Sequence, residues 1–422
     1  MTPHADLPPE LDLAAHIRPH DMIVWGQACA EPATLTELLV RQHERIGPMR
    51  CFVGIPAQSA LTVDTADGFE VYSYCGSGSN AALFSAGLLE IVPVHYSTLP
   101  DVLSGGALKA DVVLVQVSSP DAEGRHSLGL ADDYFSGTLD TARVVIAEVN
   151  DQVPFTFGAG TITADDWTVA IHTSRTPAQM PTPSVTDQDR AVAVRVAELV
   201  QDGSTLQFGI GALPEAVLAE LRHHRDLGIH SGIINDTAMH LIQAGVATGA
   251  RKTHDPGIAI GGLLGGSEAL FAFADRNRQI ELRSTRYTHD PEVLATSHQL
   301  VAINAAIEVD LTGQVNGEMV GPRYVGALGG AVDFLSGASR SPGGLPIVAL
   351  PSTTRGATRI VATLSGPVST PRSQQIIVVT EHGVADLRGL TLQQRVEALL
   401  EVADPAHRPA LAADAERVLV AL

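Results

Sequence analysis

The feature that most constrains this chain is an alternation of apolar, β-branched runs with alanine-rich stretches of helical periodicity. The runs lie at 51–55, 111–117, 143–149, 205–210, 257–264, 300–309, 346–350 and 375–380. Several are apolar along their whole length rather than at every second residue, the pattern of strands covered on both faces. Helices are predicted over 35–45, 80–90, 189–200, 214–222, 236–244 and 392–402, with Pro214 early in its helix and Thr391 as an N-cap. Strand–helix alternation over 422 residues predicts an α/β architecture with mostly parallel sheets. One stretch breaks the rhythm: 173–188, TSRTPAQMPTPSVTDQ, holds three prolines and few apolar residues. It predicts a linker between an N-terminal domain at 1–172 and a C-terminal domain at 189–422.

Charge narrows the function classes. With 27 basic and 47 acidic residues the formal net charge is −20. Phosphate recognition needs clustered Lys and Arg, so neither nucleic acid nor an anionic membrane is expected as a partner. No run reaches the roughly 18 apolar residues of a membrane span, and the first residues lack the basic start and apolar core of a secretory signal. Cys29, Cys51 and Cys75 are odd in number, far apart and not at metal-ligand spacing. A cytoplasmic protein without a metal is the expectation.

Four glycine-rich loops sit next to strand or helix boundaries, at 76–80, 209–214, 261–267 and 326–334. The second, Gly209-Ile210-Gly211-Ala212-Leu213-Pro214, joins a strand to a helix, so backbone N–H groups and a helix N-terminus face any ligand there. It is not GxGxxG, since Pro214 takes the third glycine's place, and no Walker GK[ST] occurs. Tight strand–helix packing and an anion-binding turn remain open for each loop taken alone. Together they suggest a long ligand that contacts much backbone, such as a pantetheine-bearing nucleotide.

Longer motifs carry a family resemblance. NAAIEVDLTGQVNGE from Asn304, GGAVDFLSGASRSPGG, PIVALPST and VVTEHGVADLRGLTLQQRVEALL resemble the acetyl-CoA hydrolase/CoA-transferase family, and so do DVVLVQVSSPDAEGRHSLG, GIGALPEAVL and LGIHSGIINDTAMHLIQAGVATG upstream. The resemblance spans about residues 20–410. It implies two similar open α/β domains, an active site between them, and a homodimer or higher homo-oligomer. Acyl-CoA and a small carboxylate acceptor would be the reactants, with coenzyme A as substrate or product and no permanently bound cofactor. The CoA-binding residues it implies are Gly209, Ile210, Gly211, Ala212, Leu213 and Pro214, with Gly329 and Gly330.

The family's chemistry, as the resemblance implies it, starts with a glutamate attacking an acyl-CoA thioester and proceeds through a glutamyl-CoA intermediate. That needs a carboxylate nucleophile beside donors for the tetrahedral oxyanion. In the family the motif reads Gly-[Ile/Val]-His-[Ser/Thr]-Glu; here it reads Gly228-Ile229-His230-Ser231-Gly232. Glycine has no side chain, so the covalent route cannot run from this position. Three expectations follow: hydrolysis or direct acyl transfer, with His230, Ser231 or a nearby acid as polariser; CoA transfer from a displaced carboxylate, Asp236, Glu308 or Glu318; and binding of CoA esters without turnover. The first is favoured because the vacated space admits water or another acceptor.

Overall fold

The computed structural model describes residues 11–158 and 160–420. Two compact units emerge from the contacts. Unit 1 takes the chain up to Val94, Thr98–Met180 and Leu263–Ser284; unit 2 takes His95–Ser97, Pro181–Gly262 and the chain from Thr285 onward. The chain passes from one to the other at Met180 and Pro181, inside the proline-rich segment. The sequence reading assigned all of 189–422 to one domain, whereas Leu263–Ser284 group with unit 1. Local bonds account for this: Leu264 N–H donates to the Leu130 carbonyl at 2.8 Å, Phe155 N–H to Asp275 Oδ1 at 2.7 Å, and Leu282 N–H to the Phe157 carbonyl at 2.9 Å. The Arg276 and Arg278 guanidinium carbons also lie 4.8 and 4.6 Å from the Phe155 and Phe157 ring centroids.

Unit 1 is built on seven strands, β1 (Met22–Trp25), β2 (Met49–Val53), β3 (Phe69–Ser73), β4 (Leu89–Ile91), β5 (Val112–Val117), β6 (Val144–Asn150) and β7 (Val169–Thr173). They lie in the order β4-β3-β2-β1-β5-β6-β7, every pairing parallel. Ile23 sits opposite Cys51 on one side and Val112 on the other, which fixes the register through fully buried side chains. Helix α1 (Ala33–Ile46) presents Leu35, Leu38, Leu39, Gln42 and Ile46 to this core, the three-to-four spacing of one helical face. Its N-cap is Pro32, which offers no capping side chain. The Glu148 carboxylate on β6 takes that role, accepting from Thr34 N at 3.0 Å and Leu35 N at 3.2 Å.

Gly54, just past β2, is wedged among buried polar groups. A Cβ there would meet Gln27 Oε1 at 2.4 Å, Gln27 Cβ at 2.5 Å and Tyr134 Oη at 2.5 Å. Gln27 is also held by Tyr74, whose hydroxyl donates to Oε1 at 2.8 Å, and by Asp133, which accepts from Nε2 at 2.8 Å. Gly54→Ala is therefore expected to destabilise the protein by about 1–3 kcal/mol through overpacking, read as a shifted urea midpoint at unchanged slope. An unshifted midpoint would mean that this cluster yields freely.

Unit 2 carries a six-stranded sheet of β8 (Thr205–Phe208), β9 (Gly228–Ile229), β10 (Leu300–Ala305), β11 (Leu345–Ala349), β12 (Ile377–Thr380) and β13 (Gly383–Asp386). The order is β9-β8-β10-β11-β12-β13, parallel except for the antiparallel β12–β13 pair. Around it lie α2 (Asp187–Leu199), α3 (Ala212–Glu220), α4 (Asp236–Gln243), α5 (Pro291–Thr296), α6 (Ala331–Arg340) and α7 (Leu392–Val402). Thr391 caps α7 through a reciprocal box with Gln394. Both units thus have the open, mostly parallel α/β architecture expected, and no helix among the described residues is long and apolar enough to cross a membrane.

Several boundaries differ from the expected ones, each for a local reason. The helix expected over 80–90 stops at Ser85, because Gly87 takes a left-handed conformation (φ +72°) and the chain turns into β4. The run at 300–309 splits after Ala305, and Glu308–Asp310 enters a separate three-stranded sheet. The run at 205–210 leaves the sheet after Phe208, and 257–264 divides into two short strands around Gly262. Helix α6 lies where a glycine loop followed by apolar chain was read, since Gly329 and Gly330 end just before it.

Candidate active site

The Gly-Ile-His-Ser-Gly motif begins as β9 and continues past its end. His230 N–H donates to the Leu206 carbonyl at 2.9 Å and Ser231 N–H to the Ile260 carbonyl at 3.0 Å, so the backbone is pinned on both sides. The side chains of both residues are wholly buried. Ser231 Oγ donates to the Phe208 carbonyl at 3.2 Å. His230 Nε2–H donates to the Thr288 carbonyl at 3.1 Å, which places the acceptor lone pair on Nδ1, a buried atom without a hydrogen-bond partner. Burial, reinforced by Lys252, pulls the His230 pKa down to about 3, so the ring is neutral at physiological pH.

Gly232 is followed by Ile233–Ile234 and Asn235, whose side chain caps α4 by accepting from Ala238 N at 2.8 Å. A Cβ on Gly232 would meet only the His289 imidazole, with Cε1 at 3.4 Å and Nε2 at 3.7 Å. Gly330 packs against the other side of Nε2: a Cβ there would clash with His289 Nε2 and lie 2.7 Å from its Cδ2. Two positions without side chains thus flank Nε2 of one imidazole.

His289 itself precedes the start of α5, where Asp290 is the N-cap and Pro291 the first helical residue. Its ring is held between aromatic neighbours, with the Tyr96 centroid at 4.9 Å and the Phe334 centroid at 4.5 Å. Nδ1 lies 2.9 Å from Thr288 Oγ1. Among the described residues Nε2 has no hydrogen-bond partner. Desolvation, with a smaller contribution from His230, brings its pKa down to about 3. Tyr96 is anchored by N–H donation to the Gly329 carbonyl at 3.0 Å, and Ser97 by its hydroxyl donating to Asp333 Oδ1 at 2.8 Å. The segment His95–Ser97 is thereby fixed against the Gly329–Gly330 turn and the first turn of α6.

The other sequence-derived candidates lie in distinct settings. Gly209, Ile210, Gly211, Ala212, Leu213 and Pro214 form the β8–α3 turn; Gly211 is the N-cap at φ +126°, a conformation that favours glycine, and Ile210 is 48 % exposed. Gly329, at φ +55°, and Gly330 form the turn before α6. Asp236 is in the first turn of α4. Glu308 accepts from Ser365 N–H at 2.9 Å and from its hydroxyl at 2.5 Å, and buried Glu318 accepts from Tyr324 Oη and Ser369 Oγ, each at 2.6 Å. Gly232 and Gly330 meet at His289, a residue the sequence reading did not single out. The only local signal was a histidine ahead of an Asp-Pro helix start, 57 residues from Gly232.

The fold of two open, mostly parallel α/β units is shared with a solved 4-hydroxybutyrate CoA-transferase of Porphyromonas gingivalis, at a TM-score of 0.81 and 34 % identity over 96 % of this chain and 95 % of that one. Family models for the acetyl-CoA hydrolase/transferase N-terminal and C-terminal domains match residues 8–174 and 266–415. The chain belongs to the acetyl-CoA hydrolase/transferase family. It is 34 % identical over 407 residues to the 4-hydroxybutyrate coenzyme A transferase of Clostridium kluyveri, covering 94 % of each chain. The crystal structure of RipA from Yersinia pestis superposes with a TM-score of 0.91 at 31 % identity, covering 96 % of both chains. An acetyl-CoA hydrolase of Yarrowia lipolytica is 27 % identical over 234 residues, 53 % of this chain and 43 % of that one.

Proposed function

We propose that this chain cleaves acyl-CoA thioesters by transferring the acyl group to water or another small acceptor, without a glutamyl-CoA intermediate. The reading is carried by Gly232, which stands where the resemblance calls for the nucleophilic glutamate and whose Cβ direction faces a neutral imidazole rather than a carboxylate. Two of the three substitute carboxylates are hydrogen-bonded elsewhere, Glu308 with Ser365 and Glu318 with Tyr324 and Ser369, and the third, Asp236, lies in the first turn of α4. Coenzyme A is substrate or product, held by backbone N–H groups of the 209–214 and 329–330 turns, and no further cofactor takes part. Such binding needs local donors, because a chain of net charge −20 repels a polyanion at long range. All three cysteines are buried, which fits the cytoplasmic setting expected from their number and spacing.

The test is to mix the protein with acetyl-CoA, with and without acetate or butyrate, and to follow thiol release and protein mass after borohydride. Release of CoA without a carboxylate supports the proposal. A reduced glutamyl adduct, with exchange strictly dependent on carboxylate, would replace it by CoA transfer from a displaced acid. Binding with neither would make the chain a CoA-ester-binding protein.

A further inference from the structure

We infer that His289 is the general base of this site, taking a proton from the acceptor that attacks beside Gly232. The inference rests on the acyl-transfer reading above and assigns its chemistry to a residue outside the family motif. Three features of the geometry support it. First, the Cε1–Nε2 edge faces Gly232, where a Cβ would meet nothing but this ring, at 3.4 and 3.7 Å, while the Gly330 backbone packs against the Nε2–Cδ2 side, so Nε2 is approached from the side on which position 232 carries no side chain. Second, the ring cannot turn away: Tyr96 and Phe334 pack around it, and Thr288 Oγ1 holds Nδ1 at 2.9 Å. Third, Nε2 has no partner among the described residues, whereas the neighbouring His230 spends its Nε2–H on the Thr288 carbonyl and Ser231 its hydroxyl on the Phe208 carbonyl.

The role uses the tautomer in which Nδ1–H donates to Thr288 Oγ1, which leaves the lone pair on Nε2. Burial keeps the ring unprotonated at neutral pH, so this lone pair is open to the acceptor. In the step itself a water oxygen bonds to the thioester carbon while its proton passes to Nε2. The C–S bond of the tetrahedral intermediate then breaks, and the proton on Nε2 goes to the departing thiolate. A carboxylic acid and CoA thiol are formed from one thioester and one water, with no oxidant or reductant needed. Thr288 is the positioning residue for this base.

The experiment compares wild type with His289→Gln and His289→Gly, using acetyl-CoA as probe and measuring thiol release, acetyl-CoA binding and thermal unfolding. His289→Gln should keep its acetyl-CoA dissociation constant within about threefold while kcat falls by about 100-fold or more. Added imidazole should restore part of the rate in His289→Gly, a response that a purely structural histidine would not produce. His289→Asn replaces the glutamine variant if that variant does not fold. If wild type hydrolyses acetyl-CoA and the folded variant keeps kcat within about threefold, the assignment of the base is overturned while the acyl-transfer reading stands. If wild type releases CoA only with a carboxylate present, the reading itself fails and the assignment with it.

Discussion

Gly232→Glu is expected to raise carboxylate-dependent CoA exchange far above the wild-type level. Position 232 has a backbone that L-residues adopt without strain, since its φ lies outside the left-handed region, and a Cβ there would touch His289 Cε1 at 3.4 Å, ordinary van der Waals contact. The substitution thus adds a side chain without displacing backbone. A glutamate at this position extends its carboxylate from the backbone at which the motif resemblance places the family's nucleophile. Exchange of label between acetate and acetyl-CoA should rise by at least about 100-fold over wild type, and borohydride should trap a reduced glutamyl adduct visible by mass. A variant that folds and binds acetyl-CoA yet gains no exchange would show that the missing nucleophile has been placed at the wrong residue.

Unit 2 is expected to lose stability as the pH falls from about 6.5 towards 3, ahead of unit 1. His230 and His289 are held near pKa 3 in the folded state, chiefly by desolvation, against an ordinary histidine value of 6.5. Lys252 and His254 push the His230 value down further, and Asp255 pulls it up. Between those values the unfolded chain binds protons that the folded chain excludes, so stability drops as pH drops. The contribution is complete above 6.5 and amounts to several kcal/mol for the pair, at about 1.4 kcal/mol per pKa unit. Groups of the opposite sign occur in both units, burial raising Glu215 and Asp333 in unit 2, and the larger shifts are in unit 1. Burial raises Glu31 and Asp133 to about 7 from 4.5 and 3.8. Their folded forms keep protons that the unfolded chain releases, and so these two favour unit 1 as pH falls from 7 towards 4. Hydrogen exchange at pH 7.5, 5 and 4, corrected for intrinsic rates, checks this. Amides of β8 and β10 should lose protection before those of β1, β5 and β6. Equal loss in both sheets, or earlier loss in unit 1, would contradict it.

What was legible in the sequence follows from how local each cause is. Strands such as β5 and β6 are apolar along their length because both faces are covered, and that pattern is visible in a dozen residues. The helix at Leu392–Val402 announced itself through Thr391 and Gln394, a cap formed within four residues. Strands β3, β7 and β13 were not read, because exposed Glu70, His172 and Asp386 interrupt their apolar runs and only pairing with a neighbour makes them strands. The return of Leu263–Ser284 to unit 1 was equally hidden, since it depends on partners such as Leu130 and Phe155, more than 100 residues away.

The site divides along the same line. By itself the sequence determined the likeness to acyl-CoA enzymes, and it puts a glycine where that likeness calls for a glutamate, because both are read from contiguous residues. Only the tertiary structure decided what faces that glycine. His289 reaches Gly232 and Gly330 through the packing of Tyr96 and Phe334, four positions spread over more than 200 residues. No local periodicity encodes such a meeting; it exists only once the strands of unit 2 have paired and the turns at their ends have been brought side by side.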